Sequence, residues 1–483
     1  MNQFTRRQFL KSSLLTTASL ALLRTRGAEA PKPLGANGDI RVAVVGFGGR
    51  GKDHIKGYRD LEGVRLVALC DVDSAILEKE AKQCDAAGHP VQTYSDVRKL
   101  LENKDIDAVS FATPNHWHSL GSIWAVQAGK DVYVEKPISH EVWEGRQLVV
   151  AARKYNRLVQ AGTQSRSSSG IREAIAWVRE GHVGKILRAR ALCYKRRPSI
   201  GKVSGPQPIP ASVNYDLWCG PAPKAPLMRK RLHYDWHWVW PTGNGDVGNQ
   251  GIHQMDLARW VLGETELSPR VWSVGGRLGY IDDGTTPNTQ IVFHDYKAAP
   301  LIFEVRGLPA GAEAKEMDVY RGASIGVVVD CEGGSMLLPN YSSATVFDKE
   351  GKKLKEFKGS SSHFGNFIEA VRSRKQSDLN ADILEGHLSS ALCHTGNISY
   401  RLGKTHSPEE IRDAVKGNAD VAEALGRMEQ HLAANNVELH KTPATLGMVL
   451  TMDGKAERFI GNKAANRLLT REYRKPFVVP EHV

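Results

Sequence analysis

The stretch from Ile40 to Asp71, IRVAVVGFGGRGKDHIKGYRDLEGVRLVALCD, constrains the chain more than any other. Ile40 to Val45 is a short β-branched apolar run of the kind that forms a buried parallel strand. It runs into Gly46-Phe47-Gly48-Gly49-Arg50-Gly51, with glycines at the first, third and sixth positions of G-x-G-x-x-G. A helix-compatible segment follows, then a second apolar strand from Arg65 to Leu69, closed by Cys70 and Asp71. In this context Gly46 serves a tight turn, Gly48 lets the backbone approach a pyrophosphate and Gly51 lets the helix pack on the strand. The helix N-terminus then attracts the phosphates. Asp71 lies 20 residues past Gly51, where it can accept hydrogen bonds from both hydroxyls of an adenosine ribose and would repel a 2′-phosphate. The expectation is a dinucleotide site that prefers NAD to NADP, a preference softened by the nearby Arg50.

With 483 residues the chain is too long for one ordinary core and long enough for two. Its 41% hydrophobic and 24% charged residues are those of a globular protein. Six scattered cysteines form no C-x-x-C pair, so neither disulfides nor a zinc site is required. Thr5-Arg6-Arg7-Gln8-Phe9-Leu10-Lys11, a modestly apolar run from Ser12 to Leu23 and the small-x-small Ala28-Glu29-Ala30 have the form of a twin-arginine export signal over residues 1–30. That predicts a periplasmic or secreted protein with no membrane attachment once the signal is removed. The signal carries five basic residues and one acid, leaving about +8 of the net +12 spread without a dense basic run. No nucleic-acid partner is expected.

Alternating strands and helices to about residue 164 predict a Rossmann-type, doubly wound parallel sheet over 38–164. Residues 165–440 read as an α+β substrate domain with a large, mainly antiparallel, open-faced sheet. Its open face would serve a homodimer or homotetramer. Within it, Pro198 to Asn244 is a long irregular segment rich in Pro, Trp and Tyr, a length usual for functional or covering loops. Asn249 to Leu262 reads as one helix, and residues 441–483 as an irregular tail packed on both domains.

Gly46-x-Gly48-x-x-Gly51, Thr113-Pro114-Asn115-x-x-His118, Glu135-Lys136-Pro137 and Gly251-Ile252-His253-Gln254-Met255-Asp256 occur in that order. Together they resemble the Gfo/Idh/MocA family of sugar- and cyclitol-oxidising NAD(P)-dependent enzymes. The resemblance implies that Gly46, Phe47, Gly48, Gly49, Arg50, Gly51, Asp71, Thr113, Pro114, Asn115, His118, Glu135 and Lys136 line a nucleotide. It also places Lys136 at the substrate hydroxyl and matches His253 to the family's catalytic histidine. The residue types agree: oxidising an alcohol needs a base for the proton and a cation beside the developing alkoxide.

Asn249 stands where many family dehydrogenases carry an aspartate four residues before the histidine, and Asp246 is a candidate substitute. Asp256 shares a helix face with His253 and would either orient it or pair with Arg259. Asn249, Asp246, Gln164, Trp236, His237 and Tyr215 are candidate substrate contacts, the aromatic rings suiting the C–H faces of a sugar. No metal site is expected from His233 and His237 alone. The reading is a carbohydrate oxidoreductase with tightly bound NAD that acts on a secondary hydroxyl. Its rivals are a redox-neutral, NAD-dependent glycoside hydrolase and a non-catalytic NAD-bound sugar-binding protein.

Overall fold

The structure, a computed structural model, describes residues 38–483; the expected export signal lies outside the described residues. Strands β1 (Ile40–Val45), β2 (Val64–Cys70), β3 (Gln92–Tyr94), β4 (Ala108–Phe111), β5 (Asp131–Val134) and β6 (Val159–Ala161) make a 6-stranded sheet in the order β3-β2-β1-β4-β5-β6. Every pairing is parallel. β4 and β5 are buried at every position, so apart from Ser110 and Asp131 their residues are apolar and do not alternate with polar ones. The connecting helices are α1 (Gly51–Arg59), α2 (Ser74–Ala86), α3 (Val97–Glu102), α4 (His118–Gln127) and α5 (Val142–Lys154). The strand order reverses between β1 and β4, so a crevice opens beyond their carboxyl ends, where such sheets bind ligands.

The second sheet holds β7 (Ile186–Tyr194), β8 (Arg270–Gly276), β9 (Thr289–His294), β10 (Leu301–Arg306), β11 (Ile325–Cys331), β12 (Gly334–Leu338), β13 (Ser343–Asp348) and β14 (Lys353–Lys358). Its order is β14-β13-β12-β11-β7-β10-β9-β8, antiparallel except where β10 runs beside β7. One face packs on α6 (Ser169–Arg179), α7 (Gly251–Leu262) and the long α9 (Ile383–Arg401), which share a single apolar cluster with the strands. Over β8–β10 the far face is not open. Ile411, Ala424, Leu425 and Met428 of the helices at Pro408–Val415 and Ala419–Ala434 cover Trp272, Ile291 and Ile302.

The expected helix from Asn249 is two: Gly245–Asn249 and α7, with Gln250 between them. The two domains also exchange elements. Helix α8 (His363–Ser373) leaves the second domain and buries Phe367, Ile368 and Val371 against Ile40, Val42 and Val44 of β1. The final segment adds Leu450–Asp453 to β8, and its Phe477, Val479 and Val483 enter the core of the first sheet. All six cysteines are buried and unpaired. No described helix is long and apolar enough to cross a membrane.

The final segment is pinned by buried charge. His387 Nε2 lies 2.8 Å from Glu457 Oε1, and Arg146 pairs with the same carboxylate. Burial works to raise the Glu457 pKa, but His387 and Arg146 outweigh it and hold it at about 2. A carboxylate held this low contributes stability above its unfolded value of about 4.5, and that contribution disappears as pH falls toward 2. The melting temperature should therefore drop between pH 4.5 and 2, and Glu457→Gln should flatten that drop.

Candidate functional site

The turn after β1 forms one wall of the crevice. Gly46 has φ +78° and its amide donates to the Cys70 carbonyl at 2.9 Å. A Cβ there would lie 2.8 Å from the Thr113 backbone, and one at Gly51 only 2.0 Å from the Gly46 carbonyl oxygen. A Cβ at Gly48 would meet only Ile76, at 3.4 Å, so its backbone faces open space. Phe47 is corrected: its ring is fully buried in the core, and only its amide serves the site, donating to Asp71 Oδ2 at 3.0 Å. Asp71 Oδ1 accepts from the Asp73 amide at 3.0 Å. Burial raises the Asp71 pKa against these two amides, so further O–H donors would favour its ionised form. Each oxygen keeps a second lone pair. Cradle and carboxylate thus fit a dinucleotide with a free ribose diol. Asp71→Ala should weaken NAD binding about 10–100-fold and narrow the gap to NADP, read by fluorescence titration with both nucleotides.

The crevice floor comes from the turns after β4 and β5. His118 ties them together, with Nδ1 2.6 Å from the Pro137 carbonyl and Nε2 2.8 Å from that of Thr113. Asn115 Nδ2 donates to Asn244 Oδ1 of the second domain. Burial would raise the Glu135 pKa, but His54 at 3.1 Å, with Lys136 and Arg50, holds it well below the usual range. Arg50 donates to Glu135, Asp53 and Gln164. Gln164 is therefore corrected from substrate contact to a brace for Arg50 outside the cleft lining. Lys136 Nζ donates to the Asn249 carbonyl at 3.0 Å. Burial lowers the Lys136 pKa while Glu135 pulls it back up.

His253 on α7 sits beyond this lysine, 6% exposed, its ring centroid 5.0 Å from that of Tyr341. Burial, then the Lys136 charge, keep it well below the ordinary histidine value and so neutral. Among the described residues its Nδ1 has no hydrogen-bond partner. Asp246 is corrected: Arg197 clamps it with Nε at 2.8 Å and Nη2 at 2.9 Å. Among the described residues Asp256 does not bond His253; it pairs with Arg259 Nη2 at 3.9 Å, as its spacing suggests, and more closely with residues farther away in the chain. Arg166 Nε reaches both its oxygens, at 3.0 and 2.8 Å, and Ser389 donates to it at 2.7 Å.

The irregular segment 198–244 roofs the crevice. It docks through Ser74 N to Ser212 O and Asn214 N to Val72 O, both 2.9 Å, at the end of β2. Trp117 Nε1 donates to the Leu217 carbonyl at 2.9 Å, and His233 Nε2 lies 3.0 Å from Asp73 Oδ2. The cleft beneath it, about 350 Å³, is lined from above by Trp218, Tyr234, Trp236 and His237. Tyr215 is corrected: it lies outside that lining, its hydroxyl donating to the Ala225 carbonyl and its ring stacked on Trp218. Trp218 and Tyr234 belong to the aromatic runs Tyr215 to Trp218 and His233 to Trp240, which already suit sugar recognition in the sequence, whereas Asn244 carries no such signal.

Residues 40–163 match the oxidoreductase family's NAD-binding Rossmann fold, and residues 193–304 match its C-terminal alpha/beta domain. Both domains match the Gfo/Idh/MocA family. Among curated relatives, Glycosyl hydrolase family 109 protein 1 of Shewanella sp. (strain ANA-3) is 31% identical over 211 residues, 40% of this chain and 46% of that protein. The Alpha-N-acetylgalactosaminidase of Shewanella oneidensis is 30% identical over the same shares. The chain thus spans about half the length of the curated relatives it matches. Among solved structures, the WlbA dehydrogenase from Bordetella pertussis in complex with NADH and UDP-GlcNAcA aligns with TM-score 0.54 at 20% identity, over 73% of this chain and 94% of that one. The oxidoreductase domain protein from Kribbella flavida aligns with TM-score 0.55 at 18% identity, over 74% and 96%. At these identities the likeness is one of fold.

In this site no described carboxylate bonds His253, since Asp246 and Asp256 are both committed to arginines. His253 can accept a proton, but the imidazolium would carry a buried N–H without an acceptor.

Proposed function

We propose that this protein is an NAD-dependent oxidoreductase acting on a secondary hydroxyl of a sugar or glycoside, with its nucleotide held tightly. The observation that carries the proposal is Lys136: its ammonium stands in the lining of the dinucleotide cleft, bonded to the second domain at Asn249. Bound NAD would supply a hydride acceptor. The ammonium would steady an alkoxide forming beside it, and a neutral imidazole would take the hydroxyl's proton, with His253 the one that the motif nominates. Trp218 and Trp236 offer faces for sugar C–H groups. The roof's backbone bonds to Val72 and Ser74 support tight retention, because nucleotide leaving the adenosine end must part them. Export by the twin-arginine route belongs to the same proposal and rests on Thr5 to Lys11.

A second reading, a redox-neutral glycoside hydrolase, is favoured by the names of the curated relatives. In that scheme the sugar is oxidised, its aglycone eliminated and the product reduced again. A panel of sugars and aryl glycosides separates the readings when absorbance at 340 nm and released aglycone are followed together. NADH formed without aglycone supports the oxidoreductase. Catalytic aglycone release without net NADH replaces it with the hydrolase, and neither signal from any compound overturns both.

A further inference from the structure

The roof carries a histidine that the proposed chemistry leaves without a task. His237 lines the cleft, its ring stacked on Trp236 with centroids 3.6 Å apart. Its Nδ1 bonds the carbonyl oxygen of Tyr234. A carbonyl only accepts, so the proton of the neutral ring must sit on Nδ1 and Nε2 is left as the bare acceptor. Among the described residues nothing bonds Nε2.

The turn that fixes this tautomer is strained. Tyr234 has φ +70° and ψ −51°, the γ-turn geometry that a bulky residue rarely adopts, closed by Asp235 N to His233 O at 3.0 Å. Several contacts hold it there. Arg197 Nη1 bonds the Tyr234 hydroxyl at 2.7 Å, and Arg231 pairs with the buried Asp235 at 2.6 Å. The backbone of Gly243 packs so closely that a Cβ there would lie 2.3 Å from the His237 carbonyl oxygen. The outcome of the strain is a Tyr234 carbonyl that meets both the amide of His237, at 3.2 Å, and its ring. Strain retained beside a cleft points to function.

The two histidines differ in what happens after a proton arrives. On His253 the cation would have its Nδ1–H buried without an acceptor. On His237 the Nδ1–H is already donated to Tyr234, so the imidazolium is hydrogen-bonded as soon as it forms. Burial, then the Lys136 charge after the opposing Tyr234 bond, lower the resting pKa of His237, so the ring waits neutral.

We propose that His237 Nε2, rather than His253, accepts the proton of the reacting hydroxyl. The assignment rests on the oxidoreductase reading above. The O–H bond breaks with its proton going to Nε2, the carbinol C–H leaves as hydride to NAD, and the carbonyl forms from the pair left on oxygen.

The test compares His237→Gln and His253→Gln with the unmodified protein by single-turnover absorbance at 340 nm, using a sugar or glycoside that the unmodified protein oxidises. Nucleotide content and melting temperature are measured alongside. In parallel, long-range 15N–1H NMR of the unmodified protein reads the His237 tautomer at pH 7. The expected result is a loss of about 10²–10⁴-fold for His237→Gln with nucleotide retained, a loss of tenfold at most for His253→Gln, and the proton on Nδ1. A His237→Gln rate within threefold of the unmodified protein overturns the assignment, as does a proton found on Nε2. Loss of NAD binding in His237→Gln with 3-acetylpyridine adenine dinucleotide still bound would also overturn it, because His237 would then serve the nicotinamide carboxamide. Failure of the unmodified protein to oxidise any compound is a different result: it removes the oxidoreductase reading itself.

Discussion

Lys136→Met should lower the rate of hydride transfer by about 10²–10⁴-fold while the purified variant keeps its nucleotide. The half-buried side chain sits at the junction of the two domains and is anchored by a bond from Nζ to the Asn249 carbonyl. Methionine nearly matches its length and removes the charge that would steady an alkoxide. In the proposed reading the glycine turn, Asp71 and the roof would hold the nucleotide, so binding and chemistry should separate cleanly. The check is a pair of measurements on one preparation: nucleotide content after denaturation, and absorbance at 340 nm in a single turnover. Loss of nucleotide together with activity would mean that Lys136 builds the cleft rather than serving its chemistry.

Asp256→Ala should act in the opposite way. Asp256 is 1% exposed and Arg166 5%, and the carboxylate is also bonded to Ser389 on α9. Removing it strands a buried guanidinium whose other ion pair, with Glu385 at 3.0 Å, reaches toward the surface. Breaking a buried pair from one side costs about 3–5 kcal/mol. Urea unfolding should show that loss, while the hydride-transfer rate per folded molecule stays within a few-fold. A selective loss of rate at unchanged stability would restore Asp256 as a partner of His253 with a part in the chemistry.

The local parts of this molecule were legible in its sequence. The glycine turn, Asp71 and the Glu135-Lys136-Pro137 turn each follow a short apolar strand, and short-range spacing alone places them in one crevice. What could not be read was pairing across the chain. Asp246 and Asp256 sit near His253 in sequence, yet their partners are Arg197 and Arg166, contributed by segments 49 and 90 residues away. Gln164 is turned outward by Arg50, 114 residues earlier. α8 looks like any amphipathic helix of the second domain, but its apolar side is taken by β1. The roof was recognisable as an aromatic irregular segment. Its docking on β2 uses backbone groups, which carry no residue signature, and the strained turn at Tyr234 contains no glycine to announce it.

In the proposed reading the roofed cleft holds NAD as a resident group. The most direct measurement is to purify the protein without added nucleotide, denature it and assay the supernatant for NAD(H) and NADP(H). NAD(H) approaching one per chain, with little NADP(H), is the expected result. Protein that carries no nucleotide and takes up none when NAD is supplied would contradict it.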